Sequence, residues 1–148
     1  MKRIMFVCHG NICRSPMAEF IFKDMVQRSG REKEFVIASS ATSTEEIWNG
    51  IGNPVYPPAK EELAKHGISC KEKRAVQLKK IDYDKYDFFF CMDGRNIANA
   101  MRIFGSDPDN KVRKLLQNQD VIDPWYTNKF DVAYNDIYVG CKQILKNL

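Results

Sequence analysis

Short apolar runs alternate with stretches of helical periodicity along this chain, a pattern that predicts an α/β fold with a mainly parallel sheet. Ile4-Met5-Phe6-Val7 has strand length and no polar break, and it ends at Cys8. Ser15-Pro16 opens a helix, with Ser15 as the expected N-cap and Pro16 at the first helical position. Ala18, Ile21, Phe22 and Met25 then form one apolar face. A second strand is predicted at Phe35-Val36-Ile37-Ala38. Residues 39–58 read as loop, broken by Gly50, Gly52, Pro54, Pro57 and Pro58. Residues 59–66 suit a short helix stopped by Gly67. Phe88-Phe89-Phe90-Cys91-Met92 is the clearest buried strand, with Asp93 at the following turn. A helix through Ile97, Ala100, Met101 and Phe104, a weak strand over 112–116 and a closing helix over 131–148 complete the pattern. Ligands of open α/β sheets sit at the carboxyl ends of strands, where Cys8 and Asp93 both fall.

A chain of 148 residues fits one domain, expected to span 1–148. No run approaches the ~18 apolar residues of a membrane span, and Ile4 to Val7 is too short for a signal-peptide core. The expectation is a cytoplasmic monomer that does not insert into membranes. Five cysteines, an odd number, argue for reduced thiols rather than a disulfide framework. A net charge of +4 suits an anionic ligand or an acidic partner and falls short of a nucleic-acid binder. The basic stretches at 71–74 and 111–114 read as solvated faces.

The chemistry concentrates in Cys8-His9-Gly10-Asn11-Ile12-Cys13-Arg14-Ser15, between a strand and a helix start. A loop curling into a helix N-terminus aims its N–H groups at a common centre, an anion nest reinforced by the helix dipole. Gly10 supplies conformational freedom there, and Asn11 tolerates a left-handed backbone. Arg14 offers a planar fork for two phosphate oxygens. A cysteine at the floor of such a nest should ionise below the free-thiol value of ~8.5 and act as a nucleophile on phosphorus. Zinc needs a second ligand pair, which the sequence lacks. Inert packing of Cys8 would leave Asn11, Arg14 and Ser15 unexplained. No metal or other cofactor is expected.

Asp123-Pro124-Trp125-Tyr126 supplies what a thiolate attack on a phosphate ester still requires: a carboxyl that protonates the departing oxygen and then activates water. Trp125 and Tyr126 can wall a slot for a flat aromatic substrate.

Together these segments resemble the low-molecular-weight protein-tyrosine phosphatase family, along nearly the whole chain. Ser39-Ser40-Ala41-Thr42-Ser43, Ile51-Gly52-Asn53-Pro54, His66-Gly67-Ile68 and Cys91-Met92-Asp93 extend the match. The resemblance implies a four-stranded parallel sheet flanked by helices on both faces, with the phosphate loop between the first strand and first helix. It implies hydrolysis of phosphotyrosine in proteins through a phosphocysteine on Cys8, with Arg14 as clamp and Asp123 as general acid, then base. It further implies Ser15 hydrogen-bonded to the Cys8 thiolate, and Asn11 holding the loop with Ser39 as a partner. Tyrosine-phosphorylated proteins would be the partners.

Two departures stand out. The family often has a histidine near the positions of Glu72 and Lys73, so that arm of the Asn–Ser network lacks its usual member. The loop from Ser43 to Gly52 departs in length and carries Trp48, expected as a further substrate wall. His66 is read as structural, Cys91 and Cys141 as core, and Asp93 as the cap of its own helix, the favoured role, or as a support of Arg14. Three other activities share this fold and loop type or chemistry. Arsenate reduction would need two further relay cysteines after the third strand, where only Cys91 stands. Arginine dephosphorylation would favour threonine over Ile12. A phosphocysteine carrier would need neither Arg14 nor Asp123.

Overall fold

The computed structural model describes residues 1–148. Four parallel strands form the sheet in the order β2-β1-β5-β6: β1 (Lys2–Cys8), β2 (Phe35–Ala41), β5 (Phe88–Cys91) and β6 (Val112–Lys114). The intervening β3 (Ile47–Trp48) and β4 (Ile51–Gly52) make a separate antiparallel hairpin. The chain order reverses beside β1, so its carboxyl end is the crevice where such folds bind ligands.

Period-two alternation divides β1 and β5 between two cores. Ile4, Phe6 and Phe90 face α1 (Arg14–Arg28) and α6 (Phe130–Asn147). Met5, Val7, Phe89 and Cys91 face α4 (Gly94–Phe104) through Ala100 and Phe104. Helices therefore cover both faces. α6 packs closely on the residue after β6 at Gly140, where a Cβ would lie 2.5 Å from Leu115 Cγ. No helix is long and apolar enough to cross a membrane.

Four expectations need correction. β2 runs three residues past Ala38, because Ser39, Ser40 and Ala41 pair with Phe6, Val7 and Cys8. The stretch read as loop contains the β3–β4 hairpin, and α2 (Pro57–Lys65) starts two residues early, on its two prolines. Ser15 is not an N-cap: it lies inside α1, capped by Cys13 without a side-chain bond, and its hydroxyl turns towards Cys8. Two short helices, α3 (Asp82–Lys85) and α5 (Pro124–Thr127), went unpredicted.

Candidate active site

β1 delivers Cys8 to the crevice, and α1 begins six residues later at Arg14. The loop between them turns through Asn11, whose φ of 58° lies in the left-handed region. None of the backbone N–H groups from His9 to Cys13 donates to another backbone group. That of Asn11 points at Cys8 Sγ instead, at 3.3 Å. The Ser15 hydroxyl lies 2.9 Å from the same sulfur. The loop thus brings two donors to the thiol and leaves its other N–H groups without backbone acceptors, at the positive end of a 15-residue helix.

Arg14 is only 3% exposed yet well partnered. Its Nη1 donates to Asp93 Oδ2 at 2.8 Å and to the Val121 carbonyl at 2.7 Å. Nη2 lies 3.6 Å from Asp123 Oδ2. With Nη1 tethered behind, the Nε–Nη2 edge is the one left for a ligand. Burial alone would make the guanidinium easier to deprotonate. The charge of Cys8 and the contacts to Asp93 and Asp123 outweigh it, so the pKa is raised. Asp93 serves both of the purposes that the sequence offered as alternatives. One oxygen accepts from Asn96 N in a capping box on α4, and the other holds Arg14. Burial pushes its carboxyl up, but the Arg14 hydrogen bond and the Asn96 N–H outweigh this and hold it below the usual carboxylate range.

Asp123 caps α5, accepting from Trp125 N at 3.1 Å. Val121, two residues before it, is fully buried and bonded at both backbone groups, to Met92 O and to Arg14. Trp125 packs on Tyr56 at 4.7 Å between ring centroids, and Tyr56 N donates to Ile12 O. The cleft, of about 130 Å³, is lined by Cys8, His9, Gly10, Asn11, Ile12, Cys13, Arg14, Asp123, Trp125 and Tyr126, with Glu45 and Glu46 on its rim. His9 Nε2 lies 3.0 Å from Glu45 Oε2. Trp48, expected as a wall, is outside this lining and 78% exposed on β3.

Ser15 and Ser39 stand behind the loop, both buried. Asn11 Nδ2 donates to Ser15 Oγ at 2.7 Å and to Ser39 Oγ at 3.0 Å, while Asn11 Oδ1 accepts from Val76 N. Sequence reasoning missed two members of this network, Glu19 and Lys73. Glu19 accepts the Ser39 hydroxyl at 2.6 Å, and Lys73 Nζ donates to Ser39 O at 3.1 Å. Lys73 is therefore inside the structure, not part of a solvated basic face. A Glu at the sixth position of a helix gave no signal, because its buried neighbours are 20 and 54 residues away in sequence. Among thiols, burial pushes Cys91 and Cys141 up, consistent with core roles; it also pushes up Cys13, aided by the charge of Cys8. No group of three or more His, Cys, Asp and Glu residues is arranged to hold a metal ion.

A thiol at a strand end, in a loop whose N–H groups have no backbone acceptor and beside a tethered arginine, is an arrangement suited to holding an anion on an α/β fold. Comparison with known proteins sharpens the class. Residues 3–148 match the family model described as low molecular weight phosphotyrosine protein phosphatase. The chain is 35% identical to the low molecular weight protein-tyrosine-phosphatase YfkJ of Bacillus subtilis, covering 100% of this chain and 96% of that protein. It is 40% identical to the low molecular weight phosphotyrosine protein phosphatase of Schizosaccharomyces pombe, covering 98% of this chain and 93% of that protein. The crystal structure of SP-PTP, a low molecular weight protein tyrosine phosphatase from Streptococcus pyogenes, matches with a TM-score of 0.90 at 35% identity, over 100% of this chain and 93% of that one. The chain belongs to the low molecular weight phosphotyrosine protein phosphatase family and is an enzyme of that type.

Proposed function

We propose that this chain, acting as one domain over 1–148, hydrolyses phosphotyrosine in proteins through a phosphocysteine formed on Cys8. The observation that carries this reading is the convergence of the Asn11 N–H and the Ser15 hydroxyl on Cys8 Sγ, inside a loop with its amides free and beside a tethered Arg14. The nest and the Nε–Nη2 edge of Arg14 take the three non-bridging phosphate oxygens. The Cys8 thiolate attacks phosphorus from the floor of the loop, and the P–O bond to the phenol breaks. Asp123, next to Arg14 at the mouth, gives its proton to the departing phenolate oxygen. The resulting carboxylate then takes a proton from water, whose oxygen displaces sulfur from phosphorus and releases inorganic phosphate. The flat walls of Trp125 and Tyr126, with the apolar Ile12 in the same lining, suit a phenyl ring. Cys91, fully buried at the end of β5, has no second cysteine near it in sequence to form the relay that arsenate reduction needs.

The test is a side-by-side measurement on phosphotyrosine, phosphoserine and phosphoarginine peptides and on arsenate, with rapid acid quench to trap phosphoenzyme. Phosphotyrosine should turn over fastest, with an acid-trapped phosphate on the peptide containing Cys8. A faster rate on phosphoarginine or arsenate, or label elsewhere, overturns the reading.

A further inference from the structure

A hollow of about 790 Å³, against about 130 Å³ for the cleft at Cys8, lies between α6 and the free edge of the sheet. It shares no lining residue with the cleft, and nothing in phosphoryl transfer uses it. Its walls are largely apolar, with Phe88 and Phe90 of β5, Leu115, Ile144 and Leu148 among them. Its charged side chains are Arg113 and Lys114 of β6, and no Asp or Glu contributes to it.

β6 is the last strand in the sheet order, so only one side of its backbone is paired. Phe89 N donates to Lys111 O and Leu115 N to Cys91 O, so the odd-numbered residues turn their backbone groups to β5. Val112 and Lys114 turn theirs the other way. Asp107 Oδ2 takes the Val112 N–H at 3.0 Å, which leaves the Lys114 N–H and the Val112 and Lys114 carbonyls on the open edge.

The charges on this edge are unequal. Arg113 pairs in register with Phe90 and Lys114 with Cys91, so Arg113 faces the α6 side and Lys114 the other. Lys114 Nζ meets Asp120 at 2.9 Å. Arg113 is exposed and makes no ion pair. Its guanidinium lies 5.1 Å from the centroid of the Phe88 ring, and Nε donates to the Asn110 carbonyl. The Asp107 carboxyl, which feels the Arg113 charge, is already taken by Tyr83 and the N–H groups of Lys111 and Val112. An open strand edge with an unmatched cation beside an apolar hollow selects its occupant by charge. A second copy of this chain would set Arg113 and Lys114 against the same cations, and like charges across paired strands repel.

We infer that β6 is a docking edge for an extended acidic segment of a partner protein, which adds a strand along Lys114. Its backbone meets the Lys114 N–H and the outward carbonyls, and an acid opposite Arg113 matches the free cation. Residues two apart on a strand share a face, so apolar side chains on either side of that acid enter the hollow. Main-chain bonds then supply affinity and the alternate side chains specificity. This edge is independent of the chemistry at Cys8.

The test is an NMR titration of the isotope-labelled protein with the capped peptide Leu-Glu-Glu-Glu-Leu, whose pattern fits either strand direction. Leu-Lys-Lys-Lys-Leu and Ser-Glu-Glu-Glu-Ser reverse the charge and remove the apolar side chains in turn. The Lys114 and Gly140 amides should shift saturably with the first peptide, and Lys114 N–H exchange should slow. Arg113→Glu should weaken binding about tenfold, the scale of turning a surface attraction into a repulsion. Lys114→Pro removes the outward donor while leaving the ladder to β5, as edge positions allow. It should cost about fivefold, the scale of one hydrogen bond, read at Gly140, and Lys114→Gln should cost less. Each variant should hydrolyse p-nitrophenyl phosphate at the wild-type rate, which reports a folded protein. If Lys114→Pro does not fold, Arg113→Glu and the Lys114 exchange rate still decide. Absence of saturable shifts, equal affinity for either control peptide, or unchanged affinity in Arg113→Glu overturns the inference. So does competitive inhibition of turnover by the peptide, which would place it in the cleft. Dimerisation of wild type that Arg113→Glu abolishes would give the edge to a second copy, and overturns it as well.

Discussion

Asp93 offers the sharpest separation of a structural from a functional contribution, because its two oxygens do different work. Asp93→Ala removes the capping box of α4 and the tether of Arg14 together. Asp93→Asn keeps an oxygen for Asn96 N, and Asn caps as well as Asp, but it sets an amide N–H₂ against Arg14 Nη1. A cap is worth about 1 kcal/mol, and a hydrogen bond between charged groups about 1.5–3 kcal/mol. Thermal unfolding should therefore show both variants destabilised, Asp93→Ala by about 1 kcal/mol more, or roughly 3–4 °C in a domain of this size. If the tether places Arg14 for phosphate, kcat/KM on p-nitrophenyl phosphate should fall by roughly 10–100-fold in both variants alike, and vanadate should bind correspondingly less well. The Asp93 carboxyl is held below its ordinary range. The stability gap between wild type and Asp93→Asn should thus be fully present above pH ~4. It should close as pH falls through the lower folded value. Wild-type kcat/KM in Asp93→Asn would refute the reasoning and mean that the Val121 carbonyl alone holds Arg14.

Asp123→Ala should lose about 10²–10⁴-fold on phosphotyrosine and much less on a p-nitrophenyl ester, whose leaving oxygen scarcely needs a proton; equal losses would point to a loop-capping role. Ile12→Thr, by giving the rim a hydroxyl, should lower the ratio of phosphotyrosine to phosphoarginine rates, and an unchanged ratio would move selectivity to Trp125 and Tyr126. After peroxide and then dithiothreitol, wild type should regain more activity than Cys13→Ser, through a reducible bond between Cys8 and Cys13; equal recovery would leave Cys13 as packing. Asp107→Ala strands the Tyr83 hydroxyl and the N–H groups of Lys111 and Val112, and should cost about 1–3 kcal/mol in denaturant unfolding with kcat/KM unaltered.

The sheet and the loop were readable because their signals are local. Apolar runs mark β1 and β5, and the spacing from Cys8 to Arg14 marks a strand-to-helix turn. What depends on distant partners was not. Ser39 to Ala41 look polar and loop-like, and become strand only because β1 supplies Phe6, Val7 and Cys8 as partners. Two-residue strands such as β3 carry no periodicity, so Trp48 could not be placed, and Glu45 and Glu46 arrived on the rim unannounced. Ser15 before Pro16 mimics an N-cap by composition, yet the sulfur and Asn11 claim its hydroxyl. Lys73 sits in a run of charges that reads as surface, and only the fold brings Glu19 and Ser39 to it.

Val121 has a consequence for timing. Its N–H is bonded to the end of β5 and its carbonyl to Arg14, so the segment bearing Asp123 is stitched to the same strand end and the same guanidinium as the phosphate site. In enzymes that swing a lid over the substrate, that motion often limits turnover on the microsecond-to-millisecond scale. In the proposed mechanism the acid and the anion site thus form one body before the substrate arrives. Rapid mixing should show the phenol burst without a preceding lag, and the Val121 amide should exchange with deuterium as slowly as the amides of β5, whether or not phosphate is present.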